Sequence, residues 1–116
     1  MKAFVKNISS DEFDLEVYEP EDPYKFCLTL RIQIGLDTTN GADDFDLTIY
    51  TPKWLEEVIF EAEWGRGTLI VKNFNFFYIK KFINDYVLSC EGDNWDGIAM
   101  QLNKVFVWEF DNYKNY

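Results

Sequence analysis

Hydrophobic and polar residues alternate most regularly between Tyr24 and Gly35. Phe26, Leu28, Leu30, Ile32 and Ile34 fall on one side, and Cys27, Thr29, Arg31 and Gln33 on the other. A period of two over this length predicts a strand with one buried face. After a polar loop, Leu36 to Asp43 with Asn40-Gly41 inside it, Phe45, Leu47 and Ile49 resume the period against Asp44, Asp46, Thr48 and Tyr50. Two such segments around an Asn-Gly loop predict an antiparallel hairpin. Ala3 to Ile8 alternates more weakly and predicts a short first strand. Thr51-Pro52 offers a capping hydroxyl and a proline preset for the first helical position, and Leu55, Val58, Ile59 and Ala62 follow at helical spacing. Gly65-Arg66-Gly67 predicts a turn, and Thr68 to Lys72 a compact strand. A second helix begins near Asn73 or Asn75 and ends at Gly92. Its apolar stripe is Ile79, Phe82, Ile83, Tyr86, Val87 and Cys90, and its wet side Lys80, Lys81, Asn84 and Asp85. Asp93 or Asn94 caps a third helix to about Asn103, with Trp95, Ile98, Ala99 and Leu102 inward, and Val105 to Phe110 forms a last strand. The order β-β-β-α-β-α-α-β predicts an α+β fold, a mainly antiparallel sheet with about three helices packed on one face.

The 116 residues suit a single domain, 1–116, with one hydrophobic core. With 47% hydrophobic and 19% aromatic residues the chain is too apolar to be disordered. Charge changes the picture more. There are 11 Lys and Arg against 21 Asp and Glu, a formal net of −10, and no histidine. Nucleic acid and anionic membrane are therefore poor partners. No run approaches the roughly 20 apolar residues of a membrane span, and the N-terminus lacks a signal-length apolar stretch, so a reducing cytoplasm is the expected compartment. The lack of histidine removes the commonest general base, the usual nucleophile triads and most zinc sites. Cys27 and Cys90 each sit alone in an apolar run; two reduced, buried thiols are expected, with a disulfide or a reactive cysteine as the alternative.

The carboxylate clusters Asp43, Asp44, Asp46 and Glu56, Glu57 fall in a turn or on a polar helix face, where nothing raises a carboxyl toward catalytic use. Asp37 to Asp44 gathers oxygens, but Thr39 and Gly41 break the calcium-loop pattern, leaving an ordinary hairpin loop. Gly65-Arg66-Gly67 lacks the residues of a phosphate-binding loop. The rings of Phe74, Phe76, Phe77 and Tyr78 resemble a nucleic-acid stacking platform, yet only Lys72, Lys80 and Lys81 lie nearby in an acidic chain. Core packing is expected for them, with Phe77 at a protein interface as the competing role. No catalytic residue, metal ligand or cofactor is expected. Residues 1–63 hold 15 acids and 5 bases, whereas residues 64–116 hold 6 of each. Seven acids without a base, Asp11, Glu12, Asp14, Glu16, Glu19, Glu21 and Asp22, lie in one short stretch. These residues, joined by Asp43, Asp44 and Asp46 if the hairpin loop lies at the same end, form a candidate docking surface for a basic protein. The alternative is a solvated connection.

The strand ending at Gly35, the segment Phe45-x-Leu-x-Ile-x-Thr-Pro-x-Trp54-Leu55, the strand Gly67-Thr-Leu-Ile-Val, Trp95 opening a helix, and Trp108-Glu109-Phe110-x-x-Tyr113 together resemble the immunity protein 8 family of bacterial polymorphic toxin systems. The resemblance covers nearly the whole chain. It implies a small, non-enzymatic cytoplasmic protein, encoded beside a toxin, that binds and blocks the toxin domain and brings no catalytic residues with it. Charge alone adds that the toxin is a basic nuclease. An acidic interaction or regulatory module unrelated to toxins is the alternative. Trp54 and Trp108 are expected to anchor the core, with partner contact as the other role; Glu109 and Tyr113 stay open between the two.

Overall fold

In the computed structural model, which describes residues 1–111, the elements follow the expected order. They are β1 (Ala3–Ser9), β2 (Cys27–Leu36), β3 (Asp43–Tyr50), α1 (Pro52–Val58), β4 (Thr68–Ile70), α2 (Phe76–Ser89), α3 (Trp95–Leu102) and β5 (Val107–Trp108). The hairpin is the centre of the sheet. β2 and β3 pair antiparallel from Cys27 opposite Tyr50 to Ile34 opposite Asp43, and β1 adds antiparallel to β2 with a register shift between Val5 and Asn7. β4 runs parallel to β3, pairing Thr48 to Tyr50, while β5 pairs Phe45 and Asp46 antiparallel, so the sheet is mixed. A parallel neighbour needs a long crossover, which residues 51–67 supply.

The period of two decides which face is dry. Leu28, Leu30, Ile32 and Ile34 of β2 and Phe45, Leu47 and Ile49 of β3 are buried together with Ile79, Ile83 and Val87 of α2 and Ile98, Ala99 and Leu102 of α3. On the opposite face polar residues pair across the strands: Thr29 with Thr48 at 3.1 Å between hydroxyls, and Gln33 Nε2 donating to Asp44 at 3.3 Å. The helical cover comes from α2 and α3, since α1 has no buried residue.

Each helix begins where a short polar side chain frees the backbone from the strand or loop before it. Asn75 accepts the Tyr78 N–H and Asn94 the Gly97 N–H, satisfying donors that the first helical turn leaves open. Thr51 caps α1 through the Trp54 N–H and also accepts the Phe26 N–H. It is fully buried, because it locks the start of α1 to the start of β2.

Several expectations change in detail, among them the strand expected over Thr68 to Lys72, which stops at Ile70. The stripe of the first helix stops at Val58; Ile59 becomes its C-cap and Ala62 is exposed. Phe82 of α2 is half exposed, whereas Ile79, Ile83, Val87 and Cys90 are buried. The second helix ends at Ser89, before Gly92. The last strand shrinks from Val105–Phe110 to two residues, with Phe106 buried just before it. Gly67 closes the turn before β4 with φ of 77°, a conformation that favours glycine, and its carbonyl accepts the Thr48 N–H at 2.9 Å.

Trp108 is 5% exposed and stacks on Phe45, the ring centroids 6.3 Å apart and 11° from parallel. Trp108→Ala is expected to lower unfolding free energy by about 3–5 kcal/mol, read from urea denaturation. An unchanged midpoint with lost partner binding would make this indole a contact residue instead.

Candidate functional site

The expected docking residues separate by strand parity and by partner. Asp43 shares its side of β3 with Phe45, and its Oδ2 accepts both the Trp95 Nε1–H at 2.8 Å and the Trp108 Nε1–H at 3.0 Å. This carboxylate joins α3 and β5 to the hairpin. Asp44 and Asp46 turn to the other face, where they lie around Arg31: its Nε is 3.8 Å from an oxygen of each. The same guanidinium makes a two-pronged contact with Asp11, at 2.9 and 3.0 Å. One cation therefore serves three carboxylates, leaving the cluster net negative.

Glu12, Asp14, Glu16, Glu19, Glu21 and Asp22 are all exposed, and none makes an ion pair among the described residues. Local turns shape the segment that carries them. Ser10 Oγ accepts the Glu12 and Phe13 N–H groups, Asp14 accepts the Glu16 N–H, and Asp22 accepts the Tyr24 N–H at 2.8 Å. Leu15 and Tyr18 fasten it to the core; the Tyr18 ring meets Phe13 at 4.4 Å and the edge of Phe74 at 5.4 Å. Between this segment and α1 lies an open cleft of about 670 Å³, with Phe13, Tyr18 and Trp54 in its walls beside Glu19, Glu21 and Asp22. Lys25, which also lines it, reaches Glu57 of α1 at 3.3 Å.

The tryptophan motifs resolve differently. Trp108 is core, but Trp54 is half buried, resting on Tyr50 with centroids 5.5 Å apart and lining the acidic cleft. Glu109 is part of the frame, since its carboxylate accepts the Asp44 N–H and its own N–H donates to the Asp44 carbonyl at 3.0 Å. Tyr113 lies outside the described residues. Of the four rings expected in the core, Phe74 packs edge-on against Phe26 at 5.3 Å and Phe76 stacks on Phe74, whereas Phe77 and Tyr78 are exposed, being on the outer side of the first turn of α2. Two exposed rings, Phe60 and Trp64, follow the end of α1, in a stretch where helical spacing alone predicts helix as far as Ala62.

Reactive chemistry is weak. Cys27 and Cys90 are free thiols, but of the two expected to be buried only Cys90 is, since Cys27 points to the polar face of β2 and is partly exposed. Desolvation still pushes both above the usual cysteine range, so neither is a ready nucleophile at neutral pH. For Cys27 the Glu12 charge adds to that rise. Among the described residues no three Cys, Asp or Glu side chains converge as a metal site, and no helix is long and apolar enough to cross a membrane.

An α+β fold whose most distinctive surface is a pinned, uncompensated acidic segment has the character of a protein that binds another protein. The chain belongs to the Immunity protein 8 family, which it matches over residues 3–113. Membership makes it an immunity protein, and its partner a toxin protein. No curated protein and no solved structure matches it.

Asp43→Ala leaves two indole N–H groups without their acceptor and is expected to cost about 2–4 kcal/mol. Asp43→Asn keeps an oxygen there and costs less. Paired urea melts of the two variants check the ordering; equal, negligible losses would remove Asp43 from the frame.

Burial, with Cys90 adding to it, pushes the Tyr86 hydroxyl up to about 12, and this hydroxyl donates to the Gln101 carbonyl at 2.8 Å. An unfolded tyrosine ionises near pH ~10. The native state thus holds this proton longer than the unfolded state, so its stabilising contribution is complete below pH ~10 and is lost as pH rises toward about 12. Tyr86→Phe should flatten the fall of stability across that window in denaturation midpoints measured at successive alkaline pH values.

Proposed function

We propose that this immunity protein neutralises a cognate nuclease toxin domain, without catalysis of its own, by seating its acidic side over the toxin's active site in the cytoplasm of the producing cell. The observation that supports the reading is the charge division: all of the net −10 resides in residues 1–63. A nuclease holds phosphates with Lys and Arg, so the surface around its active site is attracted to carboxylates. Glu12, Asp14, Glu16, Glu19, Glu21 and Asp22 meet the partner directly in this account. Asp11, Asp44 and Asp46, each near Arg31, contribute through the field they create. Asp43, held by two indoles, acts as part of the scaffold.

A field of this kind reaches about 10 Å at 0.1 M salt, and it accelerates encounter more than it strengthens the final contact. Neutralising Glu16, Glu19, Glu21 and Asp22 together should slow association with the neighbouring-gene toxin domain by roughly tenfold at low salt, with a smaller change in dissociation. Added salt should erase most of the difference. Stopped-flow kinetics decide it: an on-rate unchanged at low salt returns these residues to a solvated connection. Failure of the wild-type protein to inhibit nucleic-acid cleavage by that domain would overturn the nuclease reading itself.

A further inference from the structure

Between α1 and β4 the chain presents two large rings to solvent: Phe60 is 96% exposed and Trp64 is 100% exposed. Val58 and Ile59, at the end of α1, are each 39% exposed beside them. Scattered exposed apolar residues are ordinary, but a run of them holding a phenylalanine and a tryptophan with no intramolecular packing is not. Neither ring makes an aromatic contact within the described residues, and neither packs on the core.

The loop is tied at both ends. At its start the Ile59 N–H donates to the Leu55 carbonyl at 3.0 Å, closing the last turn of α1. At its end Arg66 reaches Asp111 Oδ2 at 3.2 Å and Asn103 Oδ1 at 3.2 Å, and Gly67 turns directly into β4. The rings thus stand on an arch with fixed feet, which reduces the ordering cost of using them in a complex.

Charge specifies what the arch fits. Glu56, Glu57, Glu61 and Glu63 are interspersed with the apolar residues along the chain, and from Trp54 to Gly65 there is no base. Glu57 links this run to the acidic side already described, since Lys25 bridges to it and Trp54 of the same helix lines the cleft that holds Glu19, Glu21 and Asp22. A second copy of this acidic chain would bring like charge against like. A basic surface with an apolar recess matches both the rings and their frame, and Trp is the residue most enriched among side chains that dominate protein interfaces.

We propose that Phe60 and Trp64 are the anchors of the toxin interface, inserted into apolar recesses of the toxin's basic surface while the acidic segment steers the approach. This rests on the functional reading above and assigns its contact face. The test uses the full chain and the toxin domain encoded beside it. Phe60→Ala and Trp64→Ala should each raise the dissociation rate by about 30-fold or more, with little change in association rate and an unchanged denaturation midpoint. Trp64→Phe, which keeps an aromatic ring, should lose less. If the wild-type chain binds the toxin and both alanine variants dissociate at the wild-type rate, the anchor assignment is overturned while the immunity reading stands. If the wild-type chain does not bind, the functional reading falls and the assignment with it. A wild-type dimer in sedimentation that becomes a monomer on Trp64→Ala would give the rings to self-association and likewise overturn the proposal.

Discussion

The structure depends on what happens at the first three residues of β3. Asp43 takes two indole N–H groups on one oxygen, and Phe45, two positions along the same face, meets Trp95, Phe106 and Trp108 at centroid distances between 6.3 and 6.4 Å. These contacts bring together residues far apart in the chain, from the hairpin, α3, the connection after it and β5. A carboxylate serving two indole donors is a stronger acceptor than a neutral group would be, and its loss takes the acceptor from both at once. The aromatic faces around Phe45 then fill the volume between the end of the sheet and the helices. β5 pairs only Phe45 and Asp46 of β3, and this node works with the two Glu109–Asp44 hydrogen bonds to hold it there.

β3 also sets the limits of its neighbours, which explains where the sequence pattern overreaches. Its edge away from β2 is shared: β4 occupies Thr48 to Tyr50, leaving Phe45 and Asp46 for β5. An apolar run from Val105 to Phe110 carries no sign that its partner's edge is already half occupied, so its length is illegible in sequence. The same limit applies to α1. Leu55, Val58, Ile59 and Ala62 have helical spacing, but spacing signals a buried stripe only when a sheet lies behind it, and no residue of α1 is more than partly buried. By contrast the caps at Thr51, Asn75 and Asn94 are local chemistry and could be read directly, as could the β2–β3 hairpin, whose two faces the alternation defines.

Strand parity already contained part of the candidate site. A period of two separates Asp43 from Asp44 and sets Asp43 with Phe45, yet identical side-chain chemistry makes all three nearby aspartates look alike in a charge count. What parity could not supply was the pair of indoles arriving from residues 95 and 108. Arg31 escaped notice for a similar reason: it lies opposite Asp46 in register, but its strongest partner, Asp11, comes from the connection after β1. The acidic segment itself was visible as composition. Its fixation by Leu15 and Tyr18 was not, because Phe13, Leu15 and Val17 alternate with acids as strand residues would, whereas the segment folds as turns that leave Phe13 and Val17 exposed.

Steering and anchoring place different demands on a surface, and the two candidate parts of this one differ accordingly. Charges act across several ångströms of solvent, so the carboxylates of residues 12–22 need only be numerous, exposed and close together. An anchor acts only in contact, so it needs a fixed base and a large apolar area. The arch carrying Phe60 and Trp64 has the fixed base, through Arg66 on one side and the end of α1 on the other. Neither ring contributes to the core, whereas Asp43, Phe45 and Trp108 contribute to little else. On the proposed anchoring, substitutions on the arch change the recess recognised with little effect on folding, while any change at the β3 node alters the scaffold before it reaches a partner. In an immunity protein, that separation lets a binding surface vary on a fixed fold.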